Sequence, residues 1–118
     1  MDKEKLEITQ KTAKRIKYFR TMRGLSQESL ALSAGLNPAF LGHIERSLKC
    51  PTVDTLNKIA LALDVSLSQL LDFDGETEVK DQELMMERIA FSIRGLSLKD
   101  VEQIAEIVDQ IVKLKQES

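Results

Sequence analysis

The chain has 118 residues, 42% hydrophobic and 31% charged, with one cysteine, one histidine and a formal net charge of −2, a balance that suits one small globular domain with an appendage. A lone Cys50 and a lone His43 exclude a disulfide framework, a multi-cysteine metal centre and paired-histidine chemistry, and the five glycines are too scattered for a phosphate-cradling loop. The longest apolar run, Ile59–Leu63, is far short of the roughly 18 residues of a membrane span, and the charged opening MDKEKLE is no secretory signal, so a cytosolic, cofactor-free protein that is no enzyme is expected.

Few aromatic residues and no alternating β-branched run leave helix without a competitor. A first helix is predicted over about residues 9–23, with Ala13, Ile16 and Phe19 on one face and Gly24 ending it. Ser26 caps a short second helix that ends near Ser33, and Gly35 supplies the turn. Asn37 caps a third, with Pro38 at its first position, where a missing N–H costs nothing; it runs to about Arg46. After Pro51, Thr52 opens a fourth, with Val53, Leu56, Ile59, Ala60 and Leu63 at helical spacing. Ser66 and Gln69 form a capping box for a fifth, ending near Leu71. Residues 73–80, acidic and containing glycine, read as a linker. Residues 81–93 then carry Leu84, Met85, Ile89 and Ile93, Gly95 breaks the chain, and Ser97 caps a last helix. Its stripe is Leu98, Val101, Ile104, Ala105, Val108, Ile111 and Val112.

Charge and packing divide the chain in the same place. Residues 1–50 hold ten Lys/Arg against five Asp/Glu, whereas residues 72–118 hold six against twelve, so a basic working end precedes an acidic tail. Five short helices over residues 1–72 can share one core. The terminal pair, residues 81–118, leaves apolar stripes bare, and burial at about 0.8 kcal/mol per CH₂ drives it toward another surface. A four-helix bundle with the same hairpin of a second chain meets that need, through Leu84, Ile89, Val101, Ile104, Val108 and Ile111. Folding back on its own domain is the alternative.

The most informative stretch is QESLALSAGLNPAFLGHIER, from Gln27 to Arg46. Two helices crossing at a tight turn need a small residue where they meet, here Ala31, and a residue tolerant of positive φ in the turn, here Gly35. Leu30, Ala34, Leu36, Leu41 and Ile44 supply the buried positions, and all these spacings match a helix-turn-helix.

With these residues the chain resembles the Cro/cI-type, or Xre-type, helix-turn-helix regulators. The resemblance spans about residues 10–72, through RIKYFRTMRGLSQESLALSAGL and LGHIERSLKCPTVDTLNKIALALDVSLSQLL. Its most specific part is IER-x(4)-PT-x-x-TL-x-KIA-x-AL. Ser47 is a departure, standing where the family usually has glycine at a position that often takes positive φ. The resemblance implies an all-α fold: a five-helix, lambda-repressor-like DNA-binding domain followed by a C-terminal helical hairpin. It also implies a third helix that enters the major groove of double-stranded DNA. Carried over, that helix offers Asn37, Pro38, Ala39, Phe40 and His43, with Ala39 suited to a thymine methyl and His43 to a guanine edge or a phosphate. Gln27 at the start of the second helix holds a phosphate, and Arg23, Arg46 and Lys49 are further phosphate candidates, Arg46 alternatively acting within the protein. Arg20 and Glu45 correspond to an internal ion pair that ties the first helix to the third. No arginine or glutamine stands at the usual reading positions, so groove shape carries more of the preference.

The implied function is a homodimeric, sequence-specific transcriptional repressor on an inverted-repeat operator, its half-sites roughly 34 Å apart, with an antagonist protein or peptide acting on the hairpin. Two alternatives stand beside it: an antitoxin or restriction–modification controller autoregulating its operon, and a protein-interaction module that works through the hairpin. Cys50 has no activating partner in the sequence, and Met85 and Met86 read as packing.

Overall fold

The computed structural model describes residues 1–74 and 81–117, and among them it is all-helical. Seven helices follow in order: α1 (Lys3–Met22), α2 (Gln27–Ala34), α3 (Pro38–Glu45), α4 (Val53–Leu63), α5 (Leu67–Leu70), α6 (Asp81–Ile93) and α7 (Leu98–Glu117). The linker expected over residues 73–80 lies outside the described residues from 75 onward. No helix among the described residues is long and apolar enough to cross a membrane.

The predicted caps act as local chemistry requires. Ser26, Asn37, Thr52 and Ser66 each take extended backbone and accept an N–H from the first turn of the helix that follows. Ser66 and Gln69 complete the reciprocal capping box. Gly35 ends α2 in the left-handed region at φ 69°. The first helix departs from expectation: it starts at Lys3, six residues early, because the Asp2 carboxylate accepts the Lys5 N–H at 2.8 Å.

One core joins the first five helices. α1 touches α3, α4 and α5, while α2 lies on α3 and α4. Ile16, Leu30, Leu41, Ile44, Ile59, Leu63 and Leu70 are fully buried, and Ala31 is the small buried residue of α2. Val53, expected in the apolar stripe of α4, is instead exposed, because as the first helical residue it precedes the turn that faces the core. Arg15 is buried with its guanidinium on the Gln69 and Leu70 carbonyls and 4.7 Å from the Phe19 ring, so it ties the end of α5 to α1.

Beyond that core the chain is extended. Neither α6 nor α7 has a buried residue. The radius of gyration is 17.3 Å, against about 13.5 Å for a compact chain of this length, because α7 is a rod about 30 Å long beyond the turn at Gly95.

Ser47 does adopt positive φ, at 62°. The left-handed region costs an L-residue roughly 1–2 kcal/mol, and glycine's greater freedom in the unfolded chain offsets part of any gain from its removal. Ser47→Gly is therefore expected to stabilise the protein by about 1 kcal/mol in urea denaturation. A midpoint that stays put or falls would show that the loop stores no strain there.

Candidate nucleic-acid interface

The second and third helices meet at the Gly35 turn, and the short α3 is held from one side only. Leu41, Gly42 and Ile44 form its buried face. Pro38 and Ala39 are exposed at its N-terminal end and His43 is half-buried one turn later. Asn37 turns its side-chain oxygen to the Ala39 N–H at 2.8 Å, so only its amide nitrogen remains to donate outward. Phe40 differs from expectation: it is partly buried and packs against the core rather than standing out from the helix.

Arg20 and Glu45 set the pose of α3. Arg20 Nε donates to Glu45 Oε2 at 2.8 Å and Nη2 to Oε1 at 3.0 Å, a bidentate pair, while Nη1 donates to the Leu25 carbonyl at 2.9 Å. The Glu45 side chain is only 2% exposed and that of Arg20 15%. The exposed Gln27, first residue of α2, donates to the same carboxylate from Nε2 at 3.4 Å. The N-terminus of α2 thus lies beside this clamp, and its unpaired N–H groups and positive dipole end suit an anion.

These features can be set against known proteins. A family model described as helix-turn-helix (HTH_3) matches residues 16–70. The restriction-modification controller protein C.AhdI from Aeromonas hydrophila superposes with a TM-score of 0.52 at 35% identity, covering 52% of this chain and 94% of that one. The chain belongs to the Xre-type helix-turn-helix family. The HTH-type transcriptional regulator SinR of Bacillus subtilis (strain 168) is 42% identical over 69 residues, 58% of this chain and 62% of SinR, so the match spans less than two thirds of that relative. A solved SinR protein/SinI protein complex gives a TM-score of 0.52 at 34% identity over 88% of this chain and 97% of that one.

The remaining cations of this Xre-type domain divide in two. Lys49, in the loop after α3, is exposed. Arg46 is exposed too, with Nε donating to the Gly42 carbonyl one turn back at 3.2 Å. Arg23, expected to hold a phosphate, is instead engaged within the chain, its Nε on the Leu63 carbonyl at 3.0 Å and its Nη1 on Glu87 at 2.7 Å. The ends of α1 and α4 converge there, and their last carbonyls attract a guanidinium. No sequence spacing marks that convergence.

The hairpin residues also divide. Leu84 packs against the core of its own chain. Ile89, Val108 and Ile111 are 58%, 46% and 52% exposed, and Val101 and Ile104 are half-buried. Arg88 and Phe91 of α6, and Arg94 just after it, contact the first five helices, and no motif in the sequence marks these three. Their signal is faint: an arginine and a phenylalanine on a helix described by its hydrophobic stripe, and a second arginine at its end.

Removing one partner of a nearly dry charge pair strands the other. Arg20→Met is expected to cost about 3–5 kcal/mol in denaturant unfolding, while the double change Arg20→Met/Glu45→Leu costs much less than Arg20→Met and Glu45→Leu together. Additive losses in that cycle would mean that the two side chains act independently.

Proposed function

We propose that the protein is a sequence-specific, DNA-binding transcriptional regulator, cytoplasmic and without enzymatic activity, that represses by occupying its operator as a homodimer. The observation that carries this reading is the exposed start of α3, Asn37 to Ala39, held by the Arg20–Glu45 clamp beside the N-terminus of α2. In this reading residues 1–72 are the DNA-binding domain, 73–80 the linker and 81–118 the dimer-forming hairpin. α3 enters the major groove, where Ala39 meets a thymine methyl and His43 donates to a guanine edge or a phosphate. Pro38 and Asn37 flank the groove wall, and Phe40 buttresses the helix from behind. Gln27, Lys49 and Arg46 hold phosphates, which fix register and carry no sequence information. Arg23 has no part in this reading.

Two arguments support the dimer. The apolar stripe of α7, with Ile107, Val108, Ile111, Val112 and Leu114 exposed, is left uncovered by its own chain, and a two-fold pair presents two reading helices to one face of DNA. Regulation by an antagonist protein on the hairpin is the natural counterpart, and the SinR relative is one found in complex with a second protein. A controller autoregulating a restriction–modification operon is the second reading. It is favoured by the likeness to C.AhdI, which covers only 52% of this chain.

Selection from a random duplex pool with the full-length protein tests the proposal. An inverted repeat is expected, with His43→Ala relaxing one position of each half-site at a cost of about 1–3 kcal/mol. Lys49→Gln is expected to weaken binding uniformly and to reduce the slope of log K against log salt by about 0.9 per subunit. A pool that stays unenriched at low salt would sink the regulatory reading and leave a protein-interaction module.

A further inference from the structure

The corner where α1 and α4 end is where α6 attaches. The last carbonyls of a helix have no partner within it and carry the negative end of its dipole. Here the Ala62 carbonyl accepts from Arg94 Nη2 at 3.1 Å, the Leu63 carbonyl from Arg23 Nε at 3.0 Å and the Thr21 carbonyl from Arg88 Nη2 at 3.1 Å. Arg88 comes from α6, and Arg94 is the residue that directly follows it. Arg94 also lies 3.8 Å from the Asp64 carboxylate, and Glu87 of α6 returns the exchange by pairing with Arg23 at 2.7 Å. The Phe91 ring sits with Arg94 at 4.0 Å and Arg23 at 5.3 Å. Gly24 permits the approach: a Cβ there would come within 2.8 Å of Arg88 Nε. Two turns before Phe91, Leu84 packs on the core of the first five helices.

Each contact is modest alone, being partly solvated. Together they fix one rigid helix at several points along its length, with directional bonds to backbone atoms that cannot move without the domain. A hairpin joined by chain connectivity alone would let two reading heads adapt to many operator spacings.

We propose that this corner is a positioning latch, in which Arg88, Phe91 and Arg94 fix the angle between α3 and the hairpin and so set the half-site spacing that the dimer accepts. The inference rests on the dimeric DNA-binding reading, so one arm of its test avoids DNA. In that arm the full-length chain carries nitroxides at its native Cys50 and at a cysteine placed by Glu102→Cys, diluted with unlabelled chain so that intramolecular distances dominate. The distance distribution is expected to be narrow, and about twofold wider in Phe91→Ala/Arg94→Ala, as an unlatched ensemble requires. Arg88→Ala, at an exposed position, is the milder second variant should the double change unfold.

In the second arm the selected half-sites are separated by about 5 extra base pairs, half a helical turn. The native protein is expected to lose about 10²-fold in affinity, the lower range for lost bivalency, and the variant less than about tenfold, with the same half-site consensus. An equally narrow distribution in the variants overturns the latch. A widened distribution with an undiminished spacing penalty overturns its role in spacing. A native protein that selects no inverted repeat refutes the regulatory reading instead, and the distance arm still decides the latch.

Discussion

The Glu45 carboxylate is the point on which the reading surface depends. α3 has eight residues, too few to hold helical structure in water without tertiary support, and its first two, Pro38 and Ala39, are exposed. Its inner face contributes Leu41 and Ile44 to the core, which fixes depth but constrains rotation weakly. The carboxylate at its last residue supplies the missing constraint. It takes two nitrogens from Arg20 of α1 and one from Gln27 of α2, so one nearly dry charge joins three helices. Buried charge pairs contribute little net stability, and here the gain is a single orientation.

Much of this is legible in the sequence. The caps at Ser26, Asn37, Thr52 and Ser66 follow from side chains that bond their own first turns, which is local chemistry and travels with the sequence. The apolar spacing from Leu30 to Ile44 marks the two helices that meet at the Gly35 turn, and Ile16, Phe19, Leu56, Ile59 and Leu63 at helical spacing mark the faces that close the core on them. The failures share a cause as well. The Asp2 cap is hard to read from the sequence because residues 3–8 carry no strong stripe and α1 is exposed there. Phe40 is placed outward by carry-over from the family's third helix, although a ring of that size reaches the core from a flanking position. Arg23 and Arg94 find their partners only when two distant helix ends meet, and such convergence leaves no periodic trace.

The charge count illustrates the same limit. The basic surplus of the first fifty residues reads as a nucleic-acid footprint, but its two chemistries separate in the fold. Arg15, Arg20, Arg23 and Arg46 each donate to a carbonyl or carboxylate of the chain. Lys3, Lys5, Lys11, Lys14, Lys17 and Lys49 are exposed. A planar guanidinium with fixed donors suits helix ends and carboxylates, whereas a hydrated ammonium stays in solvent. The positive field outside the domain therefore comes largely from lysines, which attract a polyanion without orienting it.

On the dimeric reading proposed above, the uncovered stripe of α7 bears on dosage. A chain that carries one reading head and finds its second only by pairing ties its output to abundance. Below the concentration at which pairs form, the paired species grows with the square of the number of chains, so halving synthesis removes about three quarters of it. A partner that caps the stripe acts on the same quantity without touching the nucleic acid. In such an arrangement the surface that the isolated chain leaves bare is its control element, and the amount of protein in the cell is the signal.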